Sequence, residues 1–213
     1  MTAESTEPKV AVVIPTYNRP ELLGRTLAAL SAQGYSRDHL VVVVADDGSE
    51  EDVQSVFEQW DPPFAKYYLR QDHDGFGAGR ARNMGAFSVA GDVVLFLDSD
   101  AIVKPDFVSR HASWHKSNED VVVIGGRTQL RGADLDTEAL ARGSVDLDEA
   151  TSPDEGEDFR SLLSRRTSGF EMTDEGYRAF VSSNVSLSSR LFVASGGFDP
   201  RFRRWSGEDT ELG

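Results

Sequence analysis

A short apolar run that ends in two carboxylates constrains the fold of this chain more than any other feature. The run is Val93–Leu97, and Asp98, Ser99 and Asp100 follow it directly. A continuous apolar stretch of this length is typical of a strand covered on both faces, as strands are in parallel sheets. Open α/β sheets bind ligands outside the carboxyl ends of their strands, so the two acids stand where a binding site is expected.

The spacing of Asp98 and Asp100 predicts a metal site. If the chain stays extended, both side chains point to one side of the strand and Ser99 points to the other. Two like charges side by side repel each other, which favours a positive group between or beyond them. Oxygen ligands in a chain without cysteine favour Mg²⁺ or Mn²⁺, with water and phosphate oxygens completing the shell. The alternative is a surface loop, because the pattern is short and common.

Apolar runs and amphipathic segments alternate along the chain, which predicts an α/β fold with a mostly parallel sheet and crossover helices. Strands are predicted at residues 9–14, 40–45, 65–69, 92–97 and 121–124. Helices are predicted from 20 to about 34, and at 51–59, 77–90, 106–116 and 190–194. Asn18 is predicted to cap the first helix, and Pro20 to lie near its first position. We expect a disordered tail at 1–8 and a single domain at 9–213.

Composition excludes several classes of protein. The net charge of −14 argues against duplex nucleic acid as a main partner. No apolar window reaches the ~18 residues of a membrane span, and the N-terminus lacks the apolar core of a signal peptide. Without cysteine there is no disulfide framework and no thiol nucleophile. We expect a cytoplasmic protein, one that is free to lie against a membrane surface, and the oligomeric state stays open.

Residues 132–176 form an acidic insertion, with 13 Asp and Glu against 4 Arg. Its composition favours a solvated, mobile segment over an acidic docking surface.

Three further segments are candidates for binding or catalysis. Asp46 and Asp47 close a buried strand, where a carboxylate could accept hydrogen bonds from a base or a ribose, although Asp-Gly is also a common turn. The glycine-rich, basic segment 75–83 precedes a helix, so its N–H groups could face an anion, unless it is only a flexible loop. It lacks the spacing and position of a dinucleotide fingerprint. Glu208 and Asp209 follow Gly207 as an acidic turn or helix start.

The four histidines show no zinc-protease spacing, and no nucleophile elbow is present. His111 and His115 lie one turn apart on a predicted helix, where surface or packing roles are favoured over metal binding.

Taken together, the segments resemble the family 2 glycosyltransferases of the GT-A fold. Six matching pieces occur in the family's order: VVIPTYNR (12–19), ADDGS (45–49), GRARNMG (79–85), FLDSDA (96–101), GGFD (196–199) and WSGEDTELG (205–213). The resemblance implies a metal-dependent, inverting transfer of a sugar from a nucleoside-diphosphate sugar to an acceptor hydroxyl. UDP is the first choice of nucleotide, with GDP and dTDP left open, and the acidic insertion would help to select the acceptor.

The resemblance also implies roles for individual residues. The nucleotide pocket would be formed by Pro15, Thr16, Arg19, Asp46, Asp47, Arg82, Asn83 and Asp98. Asp100, together with Asp98, would hold the metal, while Asp209 would be the general base and Glu208 would bind acceptor or sugar. Trp205 would stack on a sugar face, and Gly197 would lie in the acceptor or sugar site.

One departure and several alternatives accompany this interpretation. The chain ends four residues after Asp209, where related chains continue, so truncation at the C-terminus is expected. A non-catalytic nucleotide-sugar-binding module or an inactive fragment is the main alternative. A haloacid-dehalogenase-type phosphatase also places DxD after a buried strand, but near its start and before Gly-Thr, whereas Ala101-Ile102 follows here. A receiver domain would explain Asp46 and Asp47 but not the chain length.

Overall fold

The computed structural model describes residues 7–118, 120–130, 135–150, 158–166, 169, 176–204 and 207–213. Within these residues, one sheet contains β1 (Val10–Thr16), β2 (Leu40–Asp46), β3 (Ala65–Arg70), β4 (Val93–Leu97), β5 (Val122–Ile124) and β6 (Asn184–Ser188). The strand order is β3-β2-β1-β4-β6-β5. The four strands from β3 to β4 run parallel, whereas β6 is antiparallel to both of its neighbours. The predicted α/β architecture with a mostly parallel sheet is confirmed.

Helices connect the strands and cover the sheet. The described helices are α1 (Pro20–Ser31), α2 (Val53–Gln59), α3 (Ala78–Ser88), α4 (Phe107–His115), α5 (Thr137–Ala141), α6 (Phe159–Arg166), α7 (Ser189–Ser195) and α8 (Glu208–Leu212). No helix in this part of the chain is both long enough and apolar enough to cross a membrane.

The start of α1 differs from the prediction in one respect. Pro20 opens the helix, as predicted, but Arg19 and not Asn18 occupies the cap position. Asn18 adopts a left-handed φ of 50°, and its side-chain oxygen accepts hydrogen bonds from the backbone N–H groups of Glu50 and Glu51 at 2.7 and 3.1 Å. The prediction of Asn18 as N-cap was wrong because this side chain joins two loops at the carboxyl edge of the sheet.

The sheet is buried on both faces because alternate residues of its central strands enter different cores. Val12 of β1 and Leu95 of β4 pack in a core with α1, α2, α4 and α5. Val13 and Phe96 face the other way and pack with residues of α3 and α7 and with Phe198. Side chains of a strand alternate between its faces, so a run in which every residue is apolar requires two cores.

The acidic insertion is not solvated throughout. Leu140 of α5 is 3% exposed and packs in the core that contains α1. Every other residue of 135–150 is exposed or half-buried, so within this range the prediction of a solvated segment misses only this anchored helix. Residues 131–134, 151–157, 167–168 and 170–175 lie outside the described residues, as does the tail at 1–6.

Candidate active site

The candidate residues gather at the carboxyl edge of the sheet. Strands β1, β2 and β4 run parallel, so their C-terminal ends meet at one edge. Thr16 lies in register with Asp46, and the backbone N–H of Asp47 donates to the carbonyl of Thr16 at 2.9 Å. Arg19, at the N-cap of α1 just after β1, reaches Asp100, with 2.8 Å between Nη1 and Oδ2. These segments, far apart in sequence, therefore form one site.

Asp98 and Asp100 lie in a turn. Strand β4 ends at Leu97, and the N–H of Ala101 donates to the carbonyl of Asp98 at 3.2 Å. The expectation of an extended pair was wrong because the chain bends directly after the strand. Two arginines supply positive charge here: Arg82 lies 2.9 Å from Asp98, and Arg19 lies 2.8 Å from Asp100. The predicted metal between the carboxylates stays a prediction.

The donor set suits a hard cation. The carboxylates of Asp98 and Asp100 are 34% and 44% exposed and line one cavity, so both can meet a ligand. Among the described residues no group of three or more His, Asp or Glu side chains is placed to hold a metal. Asp98 and Asp100 are oxygen donors of the kind that hard cations prefer, and phosphate and water would have to complete the shell. Metal binding here stays a prediction.

Asp46 and Asp47 are neighbours with different surroundings. Asp46 is fully buried, and its carboxylate accepts hydrogen bonds from the N–H and hydroxyl of Ser49 and from the hydroxyl of Tyr68, with Arg70 at 3.3 Å. Burial, and then the adjacent carboxylate, raises the pKa of the Tyr68 phenol, which stays protonated as a donor. Asp46 therefore shapes the turn, and its assignment to a nucleotide base stays a prediction that this geometry disfavours.

Asp47 organises the glycine-rich segment. Its carboxylate accepts a hydrogen bond from the N–H of Gly77 at 2.9 Å and one from the side-chain amide of Gln71 at 2.5 Å. Arg80 lies 3.8 Å from the same carboxylate. The glycine-rich segment was expected to face an anion, and one anion that it faces is the Asp47 carboxylate. A side chain at Gly77 would overlap this carboxylate, which explains the glycine.

An aromatic pair stands beside Asp47. The rings of Tyr17 and His73 are stacked, with centroids 4.1 Å apart and planes 10° from parallel. The ring nitrogen Nδ1 of His73 lies 3.0 Å from the carbonyl of Asp47, while Tyr17 is 37% exposed. The predicted site residues do not include this pair, although an aromatic residue beside Thr16 is a usable signal.

Asp209 is held by Ser182 and approached by Arg82. The hydroxyl of Ser182 donates to Asp209 at 2.5 Å, and its backbone N–H donates at 3.2 Å. Arg82 Nη1 lies 4.0 Å from the same carboxylate, whose side chain is 21% exposed. Glu208 is 6% exposed and lies near Gly79 in the first turn of α3. Asp209 is therefore the more accessible of the two acids.

Asn83 makes structural contacts. Its side-chain amide donates to the carbonyl of Phe198 at 2.7 Å and accepts from the N–H of the same residue at 2.9 Å. Gly197 adopts a φ of 73°, and a Cβ there would lie 2.6 Å from Asn83 Oδ1. These contacts fix the GGFD turn on α3. The assignments of Asn83 to the nucleotide and of Gly197 to the sugar stay predictions without a supporting contact.

Of the remaining predicted residues, Pro15 and Thr16 lie within the described part of the chain and Trp205 does not. Pro15 and Thr16 are buried at the end of β1, and the Thr16 hydroxyl has no hydrogen-bond partner. Trp205 lies outside the described residues.

His111 and His115 form a buried polar cluster. Both rings contact the hydroxyl of Ser186, at 2.8 and 2.9 Å, and His111 also contacts Asn184 Oδ1 at 2.9 Å. Burial lowers the pKa of His111 to about 4 and also lowers that of His115. Both are thus neutral packing residues near neutral pH.

The chain matches a known protein family. The sequence model described as Glycosyl transferase family 2 matches residues 11–158. The hyaluronan synthase of Pasteurella multocida is 29% identical over 218 residues, which cover 96% of this chain and 22% of that protein. The chain therefore spans about a fifth of the length of this curated relative.

Solved structures share the fold. The mannosyltransferase PcManGT from Pyrobaculum calidifontis, in complex with GDP-Man and Mn²⁺, has a TM-score of 0.69 and 20% identity, covering 97% of this chain and 51% of that one. S. aureus TarS 1-349 in complex with UDP-GlcNAc has a TM-score of 0.68 and 20% identity, covering 96% and 52%. At this identity the likeness shows a common, GT-A-like fold.

Proposed function

The chain belongs to glycosyl transferase family 2, and from that membership we propose that it moves a sugar from a nucleoside-diphosphate sugar to an acceptor hydroxyl. The observation that carries the proposal is the position of Arg82, 2.9 Å from Asp98 and 4.0 Å from Asp209. One guanidinium thus reaches the acid expected near the diphosphate and the acid expected to take a proton. A transferase needs both groups within a single site.

The donor we propose first is a UDP-sugar. Asp47 supplies a nearly buried carboxylate that can accept the uracil N–H, and the partly exposed ring of Tyr17 beside it can pack against a base. The TarS complex holds UDP-GlcNAc and the PcManGT complex holds GDP-Man, so both nucleotides occur on this fold. Guanine and thymine also carry a ring N–H that this carboxylate can accept, so Asp47 is proposed to hold the base and not to select the nucleotide.

Asp100, with Asp98, would hold Mn²⁺ or Mg²⁺. When bound, such a cation would offset the charge that grows on the departing diphosphate. Arg19 and Arg82 keep positive charge beside these two carboxylates. Both arginines are also suited to bind phosphate oxygens through paired N–H groups.

Asp209 is proposed as the general base. The acceptor oxygen attacks the anomeric carbon while its proton passes to the Asp209 carboxylate. The bond between that carbon and the diphosphate oxygen breaks, and the nucleoside diphosphate leaves with the electron pair. Attack from the face opposite the leaving group inverts the anomeric centre. Proton removal of this kind contributes ~10²–10⁴-fold to rate, and the hydrogen bonds from Ser182 orient the carboxylate.

A thermal-shift panel tests the donor site. The chain is heated with UDP, GDP and dTDP, each with and without Mn²⁺, and a nucleotide that binds the folded chain raises the midpoint by an amount that grows with the ratio of its concentration to its Kd. We expect UDP with Mn²⁺ to give the largest shift. Asp100→Ala should remove the dependence on Mn²⁺, and Asp47→Asn should weaken the binding of every nucleotide that shifts the midpoint. Asp61→Asn, at an exposed position outside the site, is the matched control.

Transfer is measured separately from binding. Donor turnover is followed by release of UDP from UDP-sugars, with and without saccharide acceptors. A nucleotide shift without turnover would favour a non-catalytic binding module. No shift with any nucleotide would contradict the proposed donor site.

A further inference from the structure

A cavity of about 730 Å³ lies beside Asp98 and Asp100. It extends from these two residues along α4 to the segment after β5, away from Asp47 and the stacked Tyr17. Its volume falls within the ~300–1,000 Å³ of typical small-ligand sites. We call it the α4 cavity, and it leaves room for a second substrate next to the proposed donor.

The α4 cavity has an aromatic wall. Trp114 lines it and is 61% exposed, and no other described aromatic ring stacks on its indole. A single exposed apolar residue is ordinary on a protein surface. Here, however, the ring lines a cavity that contains both apolar and charged residues, and a flat indole can pack against the C–H face of a sugar ring while its N–H stays free to bond.

The charges in the α4 cavity balance with one exception. Asp98 and Asp100 pair with arginines, and two further pairs are Lys104–Asp148 at 2.8 Å and Arg110–Asp106 at 2.6 Å. Among the described residues, Arg127 is the one charged lining residue without an ion pair or hydrogen bond, and Asp158 influences it only electrostatically. Its guanidinium is exposed and is therefore available to an anionic ligand.

The backbone that carries Arg127 is held by β6. The N–H of Gly125 donates to the carbonyl of Asn184 at 3.0 Å, and the side-chain amide of Asn184 donates to the carbonyl of Gly126 at 3.0 Å. His111 in turn contacts the same Asn184 side chain. Arg127 therefore follows a fixed segment of chain, and a ligand would bind with less ordering cost than on a free loop.

We propose that the α4 cavity binds the acceptor, and that this acceptor is a saccharide carrying a carboxylate. Trp114 packs on a sugar ring, and Arg127 binds the carboxylate through two N–H groups, the geometry that guanidinium and carboxylate favour. The inference rests on the proposed glycosyl transfer, because it takes the donor to lie at Asp98 and Asp100.

Binding of two small probes tests the proposal without requiring turnover. Methyl β-D-glucuronide and methyl β-D-glucoside differ in one carboxylate, and their Kd values are measured by ligand-observed NMR on the full chain with UDP and Mn²⁺. We expect the glucuronide to bind at least about fivefold more tightly, since a charge-assisted hydrogen bond outweighs an exposed contact. Arg127→Met should remove the preference, and Trp114→Ala should weaken both probes.

The controls separate this proposal from the donor site. Arg142→Met removes an exposed arginine that pairs with Glu138 outside the cavity, and it should leave the preference unchanged. The thermal shift with UDP and Mn²⁺ is recorded for every variant, so loss of donor binding is seen independently. Equal affinity for the two probes, failure of both to bind, or a preference that survives Arg127→Met would overturn the proposal.

Discussion

The guanidinium of Arg82 donates a hydrogen bond to Asp98 at 2.9 Å from a side chain that is only 7% exposed. Its Cζ atom also lies 5.6 Å from the centre of the Phe198 ring, close enough for a favourable cation–π interaction. Its Nε and Nη1 atoms are buried without a hydrogen-bond partner. Arg82 is thus a buried charge, and its main ion-pair partner is Asp98, which lines the cavity.

Removing this charge should destabilise the fold. Arg82→Met leaves Asp98 without its partner, and because Asp98 is partly exposed we expect a loss of about 1–3 kcal/mol, below the cost of breaking a fully buried pair. Arg82→Lys keeps the charge but not the planar fork, so it should lose less stability. Urea unfolding measures both, with the exposed Arg142→Met as control. Equal stability of Arg82→Met and the wild type would show that the pair does not stabilise the fold.

Ser182 and Asp209 should act together in turnover. Asp209→Asn keeps the shape of the side chain but cannot take a proton, so we expect turnover to fall ~10²–10⁴-fold. Ser182→Ala removes the 2.5 Å hydrogen bond that orients the carboxylate, and kcat should fall about tenfold with little change in the donor KM.

The thermal shift with UDP and Mn²⁺ controls for folding in both variants. Ser88→Ala is the matched serine control, because Ser88 is exposed at the C-terminal end of α3 and its hydroxyl donates to the carbonyl of Gly85 at 2.9 Å. If Asp209→Asn retained near-normal transfer, the base would have to be another residue.

Gly77 should be required for nucleotide binding. A methyl group at this position would overlap the Asp47 carboxylate, which must then move from its bonds to Gly77 and Gln71. We expect Gly77→Ala to raise the Kd for UDP by at least about tenfold, a free-energy change of the size of one good hydrogen bond. Calorimetric titration measures the Kd.

Gly24→Ala is the matched control. Gly24 lies within α1, and an added Cβ there makes only an ordinary contact of 3.5 Å with Val56. Alanine favours helices over glycine, so this variant should be at least as stable as the wild type and bind UDP unchanged. Equal UDP affinity in the Gly77 and Gly24 variants would contradict the role of Asp47.

Most strands of the sheet can be predicted from the sequence because each is a short apolar run that is visible locally. Val93–Leu97 is apolar throughout, and burial on both faces of a parallel sheet is the physical reason. The position of Asp98 and Asp100 at the carboxyl edge follows from that topology. Their orientation does not, because it depends on a turn that begins directly after Leu97.

Pairings between distant residues escape sequence reasoning. Asn83 bonds the backbone of Phe198 across 115 positions, and no local pattern indicates this. The same holds for Ser182 with Asp209 and for the α4 cavity, whose walls come together only when β6 enters the sheet between β4 and β5. Motifs therefore predict where the site lies, whereas the contacts that set each side chain's role require the fold.

The buried histidines should make stability depend on pH. Burial lowers the pKa of His111 to about 4 in the folded state, whereas an unfolded chain has a value near ~6.5. Between these values the unfolded state binds more protons, so stability is fully present above about pH 6.5 and is lost as the pH falls toward 4. Linkage gives a loss of about 2 kcal/mol between pH 7.5 and 5 for this group. His115, whose pKa is also lowered, adds in the same direction.

Urea unfolding at pH 7.5 and 5 checks the prediction. His111→Gln should be less stable at pH 7.5, since it loses contacts with Ser186 and Asn184, but it should lose less further stability on acidification. Ser113→Ala changes an exposed residue of the same helix and should keep the wild-type dependence on pH. A His111→Gln variant with an undiminished dependence would show that other groups control it, because glutamine cannot titrate in this range.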